Sequence, residues 1–322
     1  MNCDRCNADA LVHQAYSGAH LCGTHLRRSV DKRVRRRIRD DGLLDDTASP
    51  EDPVTWVVGL SGGKDSAVLT HILDETFRDD PRIELVAVTI HEGIEGYRDE
   101  SVEACRELAN RCDIRHEIVS YADEFDVEID DVAADEEATL ATCAYCGVFR
   151  RDILERVAAD VDADLLLTGH NLDDEAQTAL MNILSGDVAQ IAKHYEASLG
   201  PLPERHPQER FVPRAKPLRD VPEREVALYA HDADLPAHIT ECPHSDEAYR
   251  GTIQQLLFDL EDDHPGTRHS ILAGYERLAE LAAAENESSN TDKLGECTEC
   301  GSPTTGERCR RCQFLDQLAP VG

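Results

Sequence analysis

Residues 61–66 read Ser-Gly-Gly-Lys-Asp-Ser, and this segment constrains the fold more than any other in the chain. An apolar run precedes it at 54–60, and a helical pattern follows at 64–77. Adjacent glycines let the backbone turn its N–H groups inward at the start of a helix, which creates an anion site from fixed dipoles. Lys64 adds a positive charge, and the two serines add hydroxyl donors. The GxxxxGK[ST] spacing of a Walker A loop is absent, so we predict a strand, a phosphate loop of another type and a helix.

The segments around this loop alternate between strand-like and helical patterns. The alternation predicts an α/β fold, with a doubly wound parallel sheet that carries helices on both faces. Ligands bind such sheets beyond the carboxyl ends of the strands, where Ser61, Ile90 and Gly169 fall. The turn at 169–175 adds an asparagine N-cap option and three acids. Strands are predicted at 54–60, 83–89, 114–119 and 164–168, and helices at 64–77, 99–111, 173–184, 223–233, 252–261 and 270–284, with a loop at 140–146 that enters a helix ending at 157.

The charge pattern has one exception to a strongly acidic background. The net charge is −32, with acids spread over nearly the whole chain, which is typical of salt-adapted, halophilic proteins because salt screens the self-repulsion. Residues 27–39 carry a charge of +7, so the other residues together must carry −39 to give the net charge of −32. We predict a basic helix at 26–38 that contacts a polyanion. Its basic residues are Arg27, Arg28, Lys32, Arg33, Arg35, Arg36, Arg37 and Arg39.

The chain has no run of about 18 apolar residues. Its N-terminus also lacks the charged and then apolar pattern of a signal peptide. We therefore expect a cytoplasmic protein without membrane contact. Twelve cysteines in such a protein indicate metal or redox chemistry rather than disulfides.

Two cysteine sets, one at each end of the chain, have the spacing of structural zinc sites. Each consists of two knuckles, and a knuckle places two ligands on one tight turn, so that two turns complete a tetrahedron. We expect one zinc ion in each set. The N-terminal set is Cys3, Cys6, Cys22 and His25, and the C-terminal set is Cys297, Cys300, Cys309 and Cys312.

A third set in the middle of the chain has three cysteines, Cys143, Cys146 and Cys242. Three thiolates leave the fourth position of a cubane-type iron–sulfur cluster open to an exogenous ligand. Alternatively, Cys143 and Cys242 form a nucleophile and resolving pair that cycles through a persulfide and a disulfide. Both interpretations stay open at this point. Cys105 and Cys112 are expected to be structural, because free cysteine usually packs as a small hydrophobe.

The order of these features resembles one family. The Ser-Gly-Gly-Lys-Asp-Ser segment is similar to the PP-loop of ATP pyrophosphatases, which cleave ATP between the α and β phosphates. Together with the two terminal sets and the Cys-Ala-Tyr-Cys segment with its distant third cysteine, it resembles the tRNA 2-thiouridine synthetases of the TtuA/NcsA group over nearly the whole chain. The segments 25–28 and 168–175 are also similar to that family.

The resemblance implies a set of site residues and cofactors. It implies a 4Fe–4S cluster on Cys143, Cys146 and Cys242, and a sulfur donor that is a ubiquitin-like carrier protein. Asp65 or Asp174 can hold Mg²⁺ through a carboxylate or water. The implied ATP site is Gly59, Leu60, Ser61, Gly62, Gly63, Lys64, Asp65 and Ser66, with Ile90 and Gly169 near the adenosine, and the candidate catalytic residues are Lys64, Asp65, Arg150, Asp174 and the three cysteines.

One residue departs from the family pattern, because Arg150 stands where lysine is common. An arginine can hold the α-phosphate more rigidly, but it cannot act as a proton donor. The departure therefore puts an acid–base role at this position in doubt, while leaving a phosphate-binding role intact.

The expected reaction is adenylation of a tRNA uridine at the C2 oxygen, followed by sulfur transfer to give 2-thiouridine. The expected partners are tRNA and the carrier protein. A homodimer is a further possibility. The acidic composition favours the wobble uridine over the T-arm site of thermophiles. A 2-thiocytidine synthetase is the alternative within enzymes, and the flanking zinc modules argue against it. A non-catalytic zinc protein that binds RNA is the other, and the intact phosphate loop argues against that.

The same patterns divide the chain into four parts. A zinc finger occupies 1–26, and a basic helix and an acidic linker occupy 27–50. The catalytic domain extends over 51–285, and a linker with the C-terminal zinc ribbon occupies 286–322. The polar stretch at 286–293 is expected to be the flexible part of that linker.

Overall fold

The computed structural model describes residues 1–44, 47–135, 138, 140–195, 212–244, 249–287 and 295–318. Most of the linker predicted at 286–293 lies outside these residues. In chain order the elements are β1 (Val12–Gln14), β2 (Ala19–Leu21), α1 (Gly23–Asp40), β3 (Val54–Gly59), α2 (Lys64–Phe77), β4 (Ile83–His91), α3 (Tyr97–Cys112), β5 (Arg115–Ser120), α4 (Tyr121–Phe125), α5 (Ile129–Ala134), α6 (Thr142–Asp160), β6 (Leu165–Leu167), α7 (Leu172–Ser185), α8 (Val188–His194), β7 (Arg214–Ala215), α9 (Glu223–Asp232), α10 (Tyr249–Asp263), α11 (Thr267–Glu287), β8 (Gly295–Glu296), β9 (Pro303–Thr304) and α12 (Arg310–Leu318).

A five-stranded sheet of order β5-β4-β3-β6-β7 forms the centre, and all its pairings are parallel. Its middle strand is buried on both faces, since Trp56, Val57 and Val58 are fully inaccessible. Such continuous apolar strands are typical of parallel sheets covered by helices on both sides. The predicted fold class is confirmed. The edge strand β7 was not predicted, because a two-residue strand next to Pro213 carries no periodic signal.

Helix α1 joins the N-terminal cysteine set to the sheet domain. It is amphipathic, and its buried residues recur every four positions at Leu26, Val30, Val34 and Ile38. These side chains belong to the same core cluster as Trp56 of β3. The basic helix is therefore fixed against the sheet domain along this apolar stripe.

Helix α6 begins earlier than the sequence predicts. It begins at Thr142, so that Cys143 and Cys146 lie in its first turns instead of in a preceding loop. The position before it is Ala141, and no side chain caps the helix. A helix start without a capping residue carries no signal in the sequence, which explains the difference. Three residues apart on one helix, the two cysteines share one face.

Candidate nucleotide and cysteine site

The loop between β3 and α2 has the shape of an anion site. Gly62 has a positive φ of +86°, and a Cβ there would lie 2.5 Å from the carbonyl oxygen of Ser101, so only glycine fits. The Ser66 hydroxyl accepts from the Ser61 N–H at 3.1 Å and donates to the Gly63 carbonyl at 3.0 Å. No side chain caps α2 at Gly63. Its first N–H groups are thus available to a phosphate.

A pocket of about 280 Å³ lies beyond the carboxyl ends of β3, β4 and β6. It opens beside the phosphate loop because Gly169 packs against the loop backbone: a Cβ there would lie 2.9 Å from the Ser66 nitrogen. Gly62 and Gly63 shape the loop without lining the pocket. The predicted site residues in its wall are Gly59, Leu60, Ser61, Asp65, Ser66, Ile90, Arg150, Gly169 and Asp174.

The position of Lys64 in the loop suggests that its ammonium group faces a bound phosphate, but the group contacts two carboxylates instead. Its ammonium donates to Asp65 at 3.0 Å and to Glu223 of α9 at 2.8 Å. Burial disfavours the charged form, but these two carboxylates outweigh it and raise the pKa of Lys64. Lys64 therefore does not line this pocket, and its two carboxylate counterions have to be replaced before it can contact a phosphate.

Asp174 is a carboxylate in an unfavourable environment. It forms a capping box with Asn171 at the start of α7, and Asn171 also donates to Asp65 at 3.0 Å. Burial, reinforced by the negative charge of Asp65, raises the pKa of Asp174 to about 6. Perturbed carboxylates in a pocket mark functional candidates. Asp65 and Asp174 together suit a hard cation such as Mg²⁺.

A buried charge network that no sequence pattern predicts lies beside the pocket. The Glu92 carboxylate, 3% exposed, lies between the guanidinium groups of Arg98 and Arg150. Arg98 also donates to the carbonyl of Ser61 at 2.7 Å, and Arg150 to the sulfur of Cys146 at 3.3 Å. Two cations share one carboxylate, which leaves a positive charge between the phosphate loop and the central cysteines. A glutamate after a strand and an arginine in a helix are too common for any pattern to single them out.

The three central cysteines approach one another from two segments. The Cys143 thiol donates to the carbonyl of His244, two residues after Cys242, at 3.4 Å. Cys146 and Cys242 both belong to the core cluster around Tyr121. Burial raises the pKa of both thiols, so without a metal they are neutral. Cys105 and Cys112, by contrast, are buried in α3 and lie away from this group.

The terminal sets have a tighter geometry. Within each, the four ligand atoms lie within 4.8 Å of one another, and in the described part of the chain these two groups alone meet that criterion. Four sulfur and nitrogen donors at this spacing fit one tetrahedral zinc ion. The central thiols are more widely spaced, as expected for ligands that bind different irons of one cluster. The donor sets therefore fit the two kinds of metal group that the sequence analysis distinguishes.

The parallel sheet, the loop at 61–66 and the pocket beside it define a PP-loop nucleotide-binding protein. Residues 32–259 match the family model described as PP-loop domain, and residues 2–27 match the model described as 2-thiouridine synthetase TtuA, N-terminal LIM domain. Over 321 residues the chain is 65% identical to the tRNA 2-thiolation protein NcsA of Haloferax volcanii, covering 100% of both chains.

More distant relatives agree. The cytoplasmic tRNA 2-thiolation protein 1 of Saccharomyces cerevisiae is 37% identical over 269 residues, which cover 81% of this chain and 72% of that protein. The U34-tRNA thiolase NcsA from Methanococcus maripaludis, solved with its [4Fe-4S] cluster, has a TM-score of 0.81 at 34% identity and covers 100% of this chain and 98% of that one. The chain belongs to the NcsA family of tRNA 2-thiolation proteins. Among its described residues, no helix is long and apolar enough to cross a bilayer.

Proposed function

We propose that this protein uses ATP to convert the wobble uridine of tRNA to 2-thiouridine. The observation that supports this proposal most directly is that the nucleotide pocket and the central cysteines adjoin each other. The pocket beside the phosphate loop is lined by Arg150, whose guanidinium also lies 3.3 Å from the sulfur of Cys146. A nucleotide bound there has its phosphates next to a thiol-bearing helix. The solved relative is a thiolase of U34, which supports the choice of the wobble position.

The chemistry requires both sites. Oxygen is a poor leaving group from C2 of uridine, so it first attacks the α-phosphorus of ATP, and pyrophosphate leaves. Sulfur then attacks C2, the C–O bond breaks, and AMP departs with the former uridine oxygen. The loop N–H groups and Lys64 stabilise charge that develops on the phosphates. Arg150 binds the α-phosphate, where its permanent charge serves without proton transfer.

Metal groups would occupy the three cysteine sets. Cys143, Cys146 and Cys242 would hold the 4Fe–4S cluster, which supplies one iron without a protein ligand. Arg150 places its positive charge against the Cys146 sulfur, which favours the thiolate that a metal requires. Asp65 and Asp174 would hold Mg²⁺. We also propose, on the family resemblance alone, that a ubiquitin-like carrier protein supplies the sulfur and that the enzyme is a homodimer.

Metal analysis tests the assignment of the three sets. After anaerobic preparation and reconstitution, the protein is expected to contain about two zinc ions and one iron–sulfur cluster per chain. Substituting Cys143→Ser is expected to remove the iron and leave the zinc unchanged. A third zinc ion in place of iron after anaerobic reconstitution would contradict the assignment.

The tRNA backbone, we propose, contacts one face of α1. The sequence shows eight basic residues in this helix, and their contacts divide them into two groups. Arg27, Arg33 and Arg37 form ion pairs with Asp232, Glu225 and Asp220, which hold α1 against α9 and the turn before it. The exposed residues, termed the basic face, are Arg28, Lys32, Arg35, Arg36 and Arg39.

Three cations of the basic face have no partner among the described residues. Arg28, Lys32 and Arg36 make no hydrogen bond or ion pair with any residue that the structure describes. They lie four residues apart and so form a row along the helix. Three unpaired cations in a row, on a chain of net charge −32, are suited to neighbouring phosphates of one strand. Arginine can contact a phosphate through two parallel hydrogen bonds.

Charge reversal tests this surface without disturbing the ion pairs of α1. The triple variant Arg28→Glu, Lys32→Glu and Arg36→Glu is expected to weaken tRNA binding by at least tenfold and to flatten its salt dependence, because roughly three phosphate contacts are lost. ATP binding is expected to stay unchanged. Filter binding over a salt titration provides the measurement.

A matched control carries the same change of charge. Arg106, Lys193 and Arg277 are exposed residues on α3, α8 and α11, and their reversal to glutamate is expected to affect tRNA binding only through the net charge. Equal losses of affinity in the two triple variants would show that α1 has no special role.

A further inference from the structure

An aromatic pair lies in the contact between the C-terminal cysteine module and the central cysteine site. The ring of Phe314 in α12 packs on the ring of Tyr145 in α6, with centroids 4.7 Å apart. Tyr145 is fully buried and Phe314 is 3% exposed. Tyr145 lies between Cys143 and Cys146, so the tip of the remote module packs directly against the turn that bears two of the three central thiols.

Polar contacts flank this pair on both sides. The Tyr145 hydroxyl donates to the side-chain oxygen of Gln317 at 3.2 Å. One turn before Phe314, Arg311 pairs with Asp152 of α6 at 2.9 Å, with both side chains only 13% and 12% exposed. Three positions on one face of α12, each three residues from the next, therefore contact α6. Such a row fixes both the position and the rotation of one helix on the other.

The cysteine set fixes the start of α12. Cys309 immediately precedes the helix and Cys312 lies in its first turn, so two of the four candidate zinc ligands are part of its N-terminus. The helix has only nine residues, and a helix of that length is not stable by itself in water. Its order therefore depends on the metal set at one end and on the contact with α6 along its side.

Among the described residues, few hydrogen bonds restrain the start of α6. No side chain caps it, and Cys143 is exposed. The hydroxyl of Tyr121 donates to the carbonyl of Cys146 at 2.8 Å, whereas Cys143 has the longer contact of its thiol with the carbonyl of His244, at 3.4 Å. Tyr145 is a fully buried side chain two positions from Cys143, and its ring contacts Phe314 of α12.

We propose that the C-terminal zinc module is a positioning element for the central thiols: Phe314 and Arg311 hold the Cys143–Cys146 turn in the geometry that retains the cluster. This rests on the cluster assignment in the proposed function. Residues that orient metal ligands affect metal affinity by roughly 10- to 100-fold. Loss of zinc from the remote set then releases α12 and makes the cluster labile.

The test uses the full chain and measures metals instead of thiolation. Phe314→Ala is expected to retain about two zinc ions but to lose iron to a chelator roughly tenfold faster than the wild type, under anaerobic conditions. The electron paramagnetic resonance signal of the reduced cluster is expected to broaden. Phe314→Leu, which keeps apolar contact with Tyr145, is expected to restore most of the retention. Arg311→Gln provides a milder second variant if Phe314→Ala folds poorly.

The two zinc sets provide matched controls. Cys309→Ser is expected to lose the C-terminal zinc and to make the cluster labile, whereas Cys6→Ser is expected to lose the N-terminal zinc and retain the cluster. Wild-type rates of iron loss in Phe314→Ala, Arg311→Gln and Cys309→Ser would overturn the proposal. A wild-type protein that takes up no iron would instead contradict the proposed function.

Discussion

Replacing Lys64 with alanine is expected to lower the rate of tRNA thiolation by roughly 10²- to 10³-fold, because a positioned cation that stabilises developing phosphate charge contributes about that much. The fold should persist. Lys64 is 21% exposed and bonded to Asp65 and Glu223, and pairs of this kind contribute about 1 kcal/mol or less. Release of pyrophosphate and AMP in the presence of tRNA measures the chemical step, and a thermal melt checks the fold.

Two further variants sharpen this test. Lys193→Ala removes an exposed lysine of α8 and is expected to leave the rate unchanged. Glu223→Gln removes the charge of the partner on α9 and is expected to tighten ATP binding, because the phosphates then compete with one carboxylate fewer. Normal thiolation by Lys64→Ala would refute the assignment of the ATP site. The same test applies to Asp65→Ala, which is expected to abolish adenylation.

Replacing Asp174 with asparagine is expected to abolish thiolation and yet stabilise the protein at neutral pH. Burial raises the pKa of Asp174 to about 6 from its ordinary value of 3.8. Between these values the folded protein holds a proton that the unfolded chain has released, so the stability from this group falls as pH rises through the window and stays low above it. The full shift corresponds to about 3 kcal/mol, and partial exposure reduces this to about 1–2 kcal/mol.

The pH dependence separates this explanation from others. The melting temperature of Asp174→Asn should exceed that of the wild type at about pH 8 and approach it at about pH 4, without Mg²⁺ or ATP. The amide oxygen can still accept from the Asn171 N–H, which Asp174 now accepts at 3.1 Å, so the helix cap is retained. A variant that is less stable at both pH values would show that the carboxylate serves the cap and not the site.

Local signals predicted the phosphate loop and its helix well. The helix was predicted at 64–77 and is observed at Lys64–Phe77, because a glycine pair before a regular apolar pattern marks its start. The asparagine at the N-terminus of α7 was also visible, and it forms the capping box. Where a residue type has one common structural role at a given position, such as the N-terminus of a helix, the sequence is sufficient to predict the local structure.

Contacts between distant segments were not predictable in the same way. Glu92 has its role only because α3 and α6 bring Arg98 and Arg150 to it. Lys64 and Glu223 are paired across 159 positions. The basic helix shows the same limit, since its arginines look alike in the sequence until α9 supplies partners for Arg27 and Arg33. Side chains that depend on the packing of separate elements leave no pattern in either element alone.

The packing of α1 sets a fixed distance on the surface of the protein. The helix begins next to two ligands of the N-terminal set and is held against the sheet domain along its buried face, so its length is a fixed distance. With 18 residues it measures about 27 Å. A tRNA bound on the proposed basic face can present to the pocket only a nucleotide at the matching distance from that contact. The choice of the target nucleotide can thus come from the distance between this contact and the pocket, without recognition of bases. Inserting one residue into α1 would turn the basic face by about 100°.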